Sequence, residues 1–520
     1  MMSRYEMTLI SQYWPHWRQH YGIYLTHIRC DTVHLLKVKQ THQHFSLIRF
    51  TPKRNSSSNR ELNLCSTFPV APIGAFHSKH YSILFPSISS FTRAKITKME
   101  PNRPVAGFRN YIPPKDAPRS KELAASDTYQ WAKLRCSEPF MIGWMKAWEE
   151  LYHQPYKGIT VDGHVIPNIH RLADTEEDLG APVVQMTAAA QHVIEVASAE
   201  ERKALLEPVD APEWRSWINP EIYAFRHGVR LEEASKDLVA ALHALMRASL
   251  SPAGYEKAHG CMKVNQFLGE VVDGTKVLNE NSYNFVIFGT PLVNEPWGWQ
   301  LFGHHLCMNC FVVGKQMVIS PVFMGAEPNV IDAGPNKGVE LFIDQEQTAL
   351  RLMQSLDPAI QKAAQIYTKL NGSEFPTWRH HRADQRHLGG AFQDNRVVPY
   401  EGVKVTTLSE AQKSVIAKIV AMSLNFLPEK ALAARMQEIS VHWDETWFCW
   451  IGGFEDGDAF YYKVHSPVVM VEFDHHSGVF LNNKEPLPFH IHTLVRTPNG
   501  NDYGKKLLEQ YRQREGNMPS

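Results

Sequence analysis

The chain has 520 residues, enough to bury a sizeable core in one large mixed domain or in two or three smaller ones. With 43% apolar and 21% charged residues its composition is globular, which excludes a collagenous, repeat-like or wholly disordered chain. Basic and acidic residues balance at 54 each, so there is no overall electrostatic drive toward nucleic acid and no nucleic-acid partner is expected.

The balance hides an asymmetry: residues 1–98 carry 13 Lys or Arg against 3 Asp or Glu, whereas the remainder carries 41 against 51. The first segment is rich in Ser, His and Thr, holds no sustained helical or strand period, and includes "TPKRNSSSNR", which cannot pack as a core. It reads as a disordered basic arm or as translated sequence upstream of a start at Met99; a basic, acid-poor organelle presequence is the third reading. Residues 99–520 read as a single domain. No run of about 18 apolar residues marks a membrane span. Seven scattered cysteines suit free thiols in a reducing compartment better than a disulfide framework, and a cytoplasmic location is expected.

In chain order, apolar residues recur at three and four in "SKELAASDTYQWAKLR", "FMIGWMKAWEELYH", "APVVQMTAAAQHVIEVASAEERKALL" and "RLEEASKDLVAALHALMRASL", which predicts a helical N-terminal half, with "SPAGYEKAHG" as a further short helix. The period then shortens: "NFVIFG", "WGWQLFGHHLCMNCFVVG" and "KQMVISPVFMG" predict strands, with a tight hairpin at Gly314-Lys315. Helices return at "DQEQTALRLMQSL", "PAIQKAAQIY" and "TLSEAQKSVIAKIVAMSLNFLPEKALAARMQEI". Strands follow at "VHWDETWFCWIGG", "AFYYKVHSP", "VVMVEFDHH" and "FHIHTLVRT", before a last helix near "YGKKLLEQYRQR". Each strand block alone leaves an apolar face uncovered, so the blocks are expected to pair into one sheet. The fold class expected is α+β, a mostly antiparallel sheet of about seven or more strands with helices packed on it.

Chemistry concentrates in the strand blocks. Residues two apart on a strand point the same way, so His490 and His492 present both rings, with Arg496, from one face. The preceding strand offers Glu472, Asp474 and His476 on one alternating face. Neutral imidazoles beside carboxylates suit a divalent transition metal: zinc, iron, manganese or copper. In "GWQLFGHHL" the adjacent His304 and His305 point to opposite sides of a continuous strand; Gln300 shares the alternation of His304, which favours His304, but the glycines weaken the parity and both histidines are kept as ligands. The loop "WRHHRADQRHLGGAFQDN" gathers His380, His381, His387, Arg382, Asp394 and Asn395 into an anion or carboxylate clamp, or a solvated basic loop. Cys307 and Cys310 fall on opposite faces of a strand and read as core.

Five blocks in order, "WGWQLFGHHLCMNCFVVG…SPVFMGAEP", "GAFQDNRVVPYEG", "ETWFCWIGG", "SPVVMVEFDHHSGVFLNN" and "HIHTLVRTPNGNDYG", resemble the domain-of-unknown-function family 3500 (DUF3500), in its fungal form, from about Tyr111 to the C-terminus. The resemblance leaves residues 1–98 outside and assigns no reaction. It implies that Gly-His-His, Glu-x-Asp and His-x-His belong to one shared site. The expected function is a metal-dependent enzyme acting on a small organic molecule. His490, His492 and His304 or His305 are the expected ligands, with Glu472 as fourth ligand or general base and Arg496 neutralising an anionic group. Gln300, Asp474, His476, Arg382, Asp394 and Asn395 are the expected substrate contacts. Hydrolysis is preferred over an oxygenase-type tailoring reaction of secondary metabolism, and a non-catalytic small-molecule binding protein is the alternative from another class.

Overall fold

The computed structural model describes residues 107–381 and 384–516, together with the backbone of three strands nearer the N-terminus. These three, β1 (Ile23–Cys30), β2 (Val33–Gln40) and β3 (Phe45–Arg49), form an antiparallel meander within a separate unit, Met1–Phe85. These strands fall within residues 1–98, where the sequence shows no sustained strand period; the rest of that expected arm lies outside the described residues.

The second unit is built on a twelve-stranded sheet. Its strands are β4 (Leu206–Glu207), β5 (Val229–Arg230), β6 (Tyr283–Phe288), β7 (Trp297–Gly303), β8 (Leu306–Val313), β9 (Gln316–Ala326), β10 (Gln365–Tyr367), β11 (Val403–Lys404), β12 (Trp447–Gly452), β13 (Phe460–His465), β14 (Met470–His475) and β15 (Ile491–Arg496). The order is β10-β12-β13-β14-β15-β9-β8-β7-β6-β4, with β11 beside β12 and β5 beside β6. Only β10 on β12 and β4 on β6 are parallel. The two predicted strand blocks thus join through β15 and β9, where His492 pairs with Gly325.

Alternation divides the sheet's side chains. One face carries Phe285, Trp299, Leu301, Met308, Val322, Val471, Phe473 and Trp450 against helices that include 183–196, 236–249, 252–272, 343–354 and 410–423. The other face carries Val286, Phe302, Cys307, Phe323, Leu494 and Met470 under a second layer made of helix 139–152, the turns around Trp214 and Trp217, and the loop through Leu388 and Phe392. Cys307 faces one layer and Cys310 the other. None of the described helices is long and apolar enough to cross a membrane.

The α+β architecture and the hairpin at Gly314-Lys315 agree with the sequence reading. Three details differ. "SPAGYEKAHG" opens a 21-residue helix, Pro252–Val272, capped by the Ser251 hydroxyl with proline in the first turn. The long helical run before "VHWDE" breaks at Pro428 into Glu410–Ser423 and Glu429–Val441, since proline cannot donate within a helix. Finally, "WGWQLFGHHLCMNCFVVG" is two strands, with His304 and His305 as the two-residue turn between Gly303 and Leu306.

Candidate metal centre

The extra turn decides which histidine reaches the site. His305 adopts a left-handed backbone (φ 57°), uncommon for a residue with a Cβ. Its N–H bonds the Asn219 carbonyl at 3.0 Å, and its own carbonyl takes the Gly325 N–H at 2.7 Å. The strand-parity reading that favoured His304 therefore fails, because parity does not carry through a turn. His304 instead bonds Asn265 Oδ1 through Nδ1 at 2.7 Å and stacks on His305 with ring centroids 4.0 Å apart.

His305 meets His490, the residue just before β15, and His492 on β15. Their Nε2 atoms lie 3.3 Å (His490 to His305), 3.1 Å (His490 to His492) and 3.1 Å (His492 to His305) apart, and all three residues are buried. The ring centroids stand 4.8–5.1 Å apart, so the rings converge toward Nε2. At zinc–imidazole bond lengths of about 2.0–2.1 Å one point reaches all three nitrogens, with N–metal–N angles of about 100°.

Hydrogen bonding alone cannot satisfy this triangle. A neutral imidazole nitrogen either donates or accepts. Three nitrogens in mutual contact therefore always include one pair of donors or one pair of lone pairs. A cation taking all three lone pairs removes the conflict. Burial supplies neutral rings: together with the neighbouring imidazoles it drives His305 and His492 far below the ordinary imidazole range, and it takes His490 down to about 3. Among the described residues these three are the group able to hold a metal ion.

Two features prepare the triad. Glu327 sits in a nest of backbone N–H groups, with Oε1 accepting from Val479 (2.9 Å) and Leu481 (3.0 Å), and it stands 3.7 Å from His490 Nδ1. A carboxylate on this side favours the proton on Nδ1 and leaves Nε2 its lone pair. Gly325 forms the floor: a Cβ there would stand 3.0 Å from His492 Cδ2, 3.2 Å from His305 Cδ2 and 2.8 Å from the Ile491 carbonyl. Neither residue was singled out from sequence. The available signals were a glycine inside a strand pattern and an acid preceding proline.

Other predicted site residues surround the triad but have different partners. His476 packs its ring on His490 and His492 (centroids 4.8 and 4.4 Å) while Nδ1 donates to the Ser477 carbonyl, and burial brings it to about 3. Glu472 does not join the three nitrogens. Its oxygens accept from Tyr461 Oη (2.6 Å), Leu388 N (2.8 Å) and Gly389 N (2.9 Å); against burial, His387 above all, then Tyr461 and the Leu388 N–H, hold the carboxyl well below its usual range. Asp474 takes a bidentate fork from Arg386 at 2.7 and 2.9 Å. Arg496 donates to the carbonyls of Gly389 and Gly390 and to Asp394 and Asp502.

Glu472, Asp474 and Arg496 are thus the anchors that fasten the loop 386–394 to the sheet, and Asp394 is that loop's end, held also by Arg215 and Tyr503. Gln300 bonds Trp214 O, Asn309 and His227 inside the second layer. Asn395 ties down Lys157 N and Pro155 O. Arg382 lies outside the described residues. The loop delivers His387 next to His492, with ring centroids 5.8 Å apart.

The metal-free protein is expected to lose stability in mild acid. Unfolded imidazoles take protons near pH 6.5, whereas folding keeps His305, His490, His492 and His476 neutral to much lower pH. The unfolded state therefore binds more protons below 6.5. Stability should fall as pH drops, by up to about 1.4 kcal/mol per pH unit for each ring. Urea midpoints from pH 7 to about 5, where most carboxylates stay ionised, test this; a midpoint that does not move would mean the rings are protonated in the fold.

The fold and the triad define an α+β protein with a buried group of three histidines at the ends of the central strands of a mostly antiparallel sheet. Residues 179–505 match the family model described as "Protein of unknown function (DUF3500)", and the chain belongs to that family. No curated protein and no solved structure matches the chain.

Proposed function

We propose that the protein is a metal-dependent enzyme acting on a small organic molecule, with a divalent transition metal held by His305, His490 and His492. The carrying observation is the triangle of Nε2 atoms at 3.1–3.3 Å, which no arrangement of protons satisfies.

The donor set favours hydrolysis. Three neutral imidazoles add no negative charge, so a zinc ion held by them would act with its full charge on a bound water, the condition under which zinc brings water's pKa to about 7. A two-histidine, one-carboxylate iron site would need Glu472 or Glu327 as a ligand. The backbone N–H groups of residues 388–389 and 479–481 already engage those carboxylates.

The test is elemental analysis of the full chain beside a His490→Ala/His492→Ala variant, both checked by circular dichroism. One equivalent of zinc, or of another transition metal, is expected in the parent and none in the folded variant. A parent that takes up no zinc, iron, manganese or copper on reconstitution would rule the centre out. A zinc-loaded parent that turns over esters, amides and lactones no faster than the metal-free double mutant would remove the hydrolytic reading and leave a metal-holding binding protein.

A further inference from the structure

The helix Thr128–Cys136 puts Tyr129, Ala132, Lys133 and Cys136 at i, i+3, i+4 and i+7, so these four side chains share one face. Trp131 turns the other way and is buried, with its indole N–H on Glu221 at 2.9 Å. A stripe of tyrosine, alanine and cysteine is ordinarily covered by a neighbouring element. Here it faces Tyr223 and Arg226, from the segment 218–226, across a cleft of about 460 Å³. That volume lies in the range of small-molecule sites, roughly 300–1,000 Å³.

The lining is aromatic and cationic. Tyr129 and Tyr223 meet edge to face with centroids 5.6 Å apart, and the Arg226 guanidinium lies 5.4 Å from the first ring and 5.7 Å from the second. Neither Arg226 nor Lys133 has a hydrogen-bond or carboxylate partner among the described residues, and no carboxylate lines the cleft. The other cations nearby are already engaged: Arg135 pairs with Glu138, and Arg230 with Glu232 and Asn284. A guanidinium resting on aromatic faces keeps its N–H fork free for a planar anion.

We infer that this cleft is a separate ligand site, and that its ligand is a small organic acid with a flat ring. The carboxylate takes the Arg226 fork and the Lys133 charge, while the ring packs against Tyr129 and Tyr223. Tyr223 also borders a neighbouring cavity lined by His304, but at about 10 Å³ that gap holds no more than one water, so the cleft is not a passage to the triad. The site therefore stands whether or not the triad holds a metal.

Cys136 serves as the reporter, because it is the one described cysteine that is not buried. The full chain is alkylated with iodoacetamide, and labelling of Cys136 is followed by peptide mass spectrometry against rising 2-naphthoate. Naphthoate is expected to slow the labelling saturably, and the neutral 2-naphthamide to leave it unchanged at the same concentrations. In Arg226→Gln, whose side chain is exposed and whose melt should match the parent's, the half-protecting concentration should rise about tenfold or more, the loss of a hydrogen bond to a charged group. No protection by naphthoate, equal protection by the amide, an unchanged half-protecting concentration in folded Arg226→Gln, or a Cys136 that the reagent cannot reach would each overturn the site. If Arg226→Gln does not fold, Lys133→Gln decides, with a severalfold rise expected and none overturning it.

Discussion

Arg496→Met is expected to cost the fold about 3–5 kcal/mol, the range for removing one partner of a buried ion pair. The guanidinium is fully buried, lies over the Trp217 ring, and donates to two carboxylates and two loop carbonyls. Methionine fills much of the volume and satisfies none of these four acceptors. Asp394 would keep Arg215 and Tyr503, but Asp502 would keep only the Ser320 hydroxyl and the Thr497 N–H. Burial already raises the Asp502 carboxyl with Arg496 beside it. Without the cation it should protonate more readily, so the gap between parent and variant should narrow as pH falls toward about 5. Guanidinium melts at two pH values measure both effects. A variant as stable as the parent that loses only affinity for anionic ligands would return Arg496 to the substrate-binding role its sequence position suggests.

The expected loss of stability would also explain why the sequence points to the right place while the structure gives those residues other partners. A two-residue strand period places His490 and His492 on one face, with Glu472 and Asp474 on the neighbouring strand; the register bears this out for His492, where Asp474 pairs with His492 and Glu472 with Leu494, while His490 stands just before the ladder. The period is silent on what covers that face. The cover comes from a loop some 80 to 110 residues earlier in the chain, as the pairs Arg386–Asp474, Leu388–Glu472 and Gly389–Arg496 show. Polar residues that look catalytic on an open strand become structural once such a loop lies on them, since every buried donor and acceptor in it needs a partner. His305 was obscured for a different reason. No glycine, asparagine or proline occupies the two-residue turn at His304-His305 itself, so an apolar run of strand-forming residues continues through it. The left-handed residue is a histidine fixed by Asn219 and Gly325, contacts that only the tertiary fold supplies.

Gly325→Ala is expected to abolish tight metal binding while leaving most of the fold intact. On β9, Gly325 faces His492 across the ladder, and the added methyl would meet rings of two ligands at once, at 3.0 and 3.2 Å, as well as the Ile491 carbonyl at 2.8 Å. Side chains can yield by tilting, but the carbonyl belongs to a ladder strand. The relief must therefore come from moving His305 and His492 apart or from shifting β15. Either change opens the 3.1 Å separation between their Nε2 atoms. Changes that merely reorient one ligand from behind cost about 10–100-fold in metal affinity; displacing two should reach the upper end of that range or exceed it. The accompanying loss of stability should be only about 1–3 kcal/mol, the usual cost of overpacking by one methyl group. Competition against a chelator, beside a urea melt of the metal-free form, separates the two quantities. Parental affinity in a folded Gly325→Ala protein would mean that the three nitrogens do not depend on this floor, and the triad would then need another source of preorganisation. Loss of affinity at nearly full stability would establish that β9 leaves out a side chain at this position to make room for the converging rings.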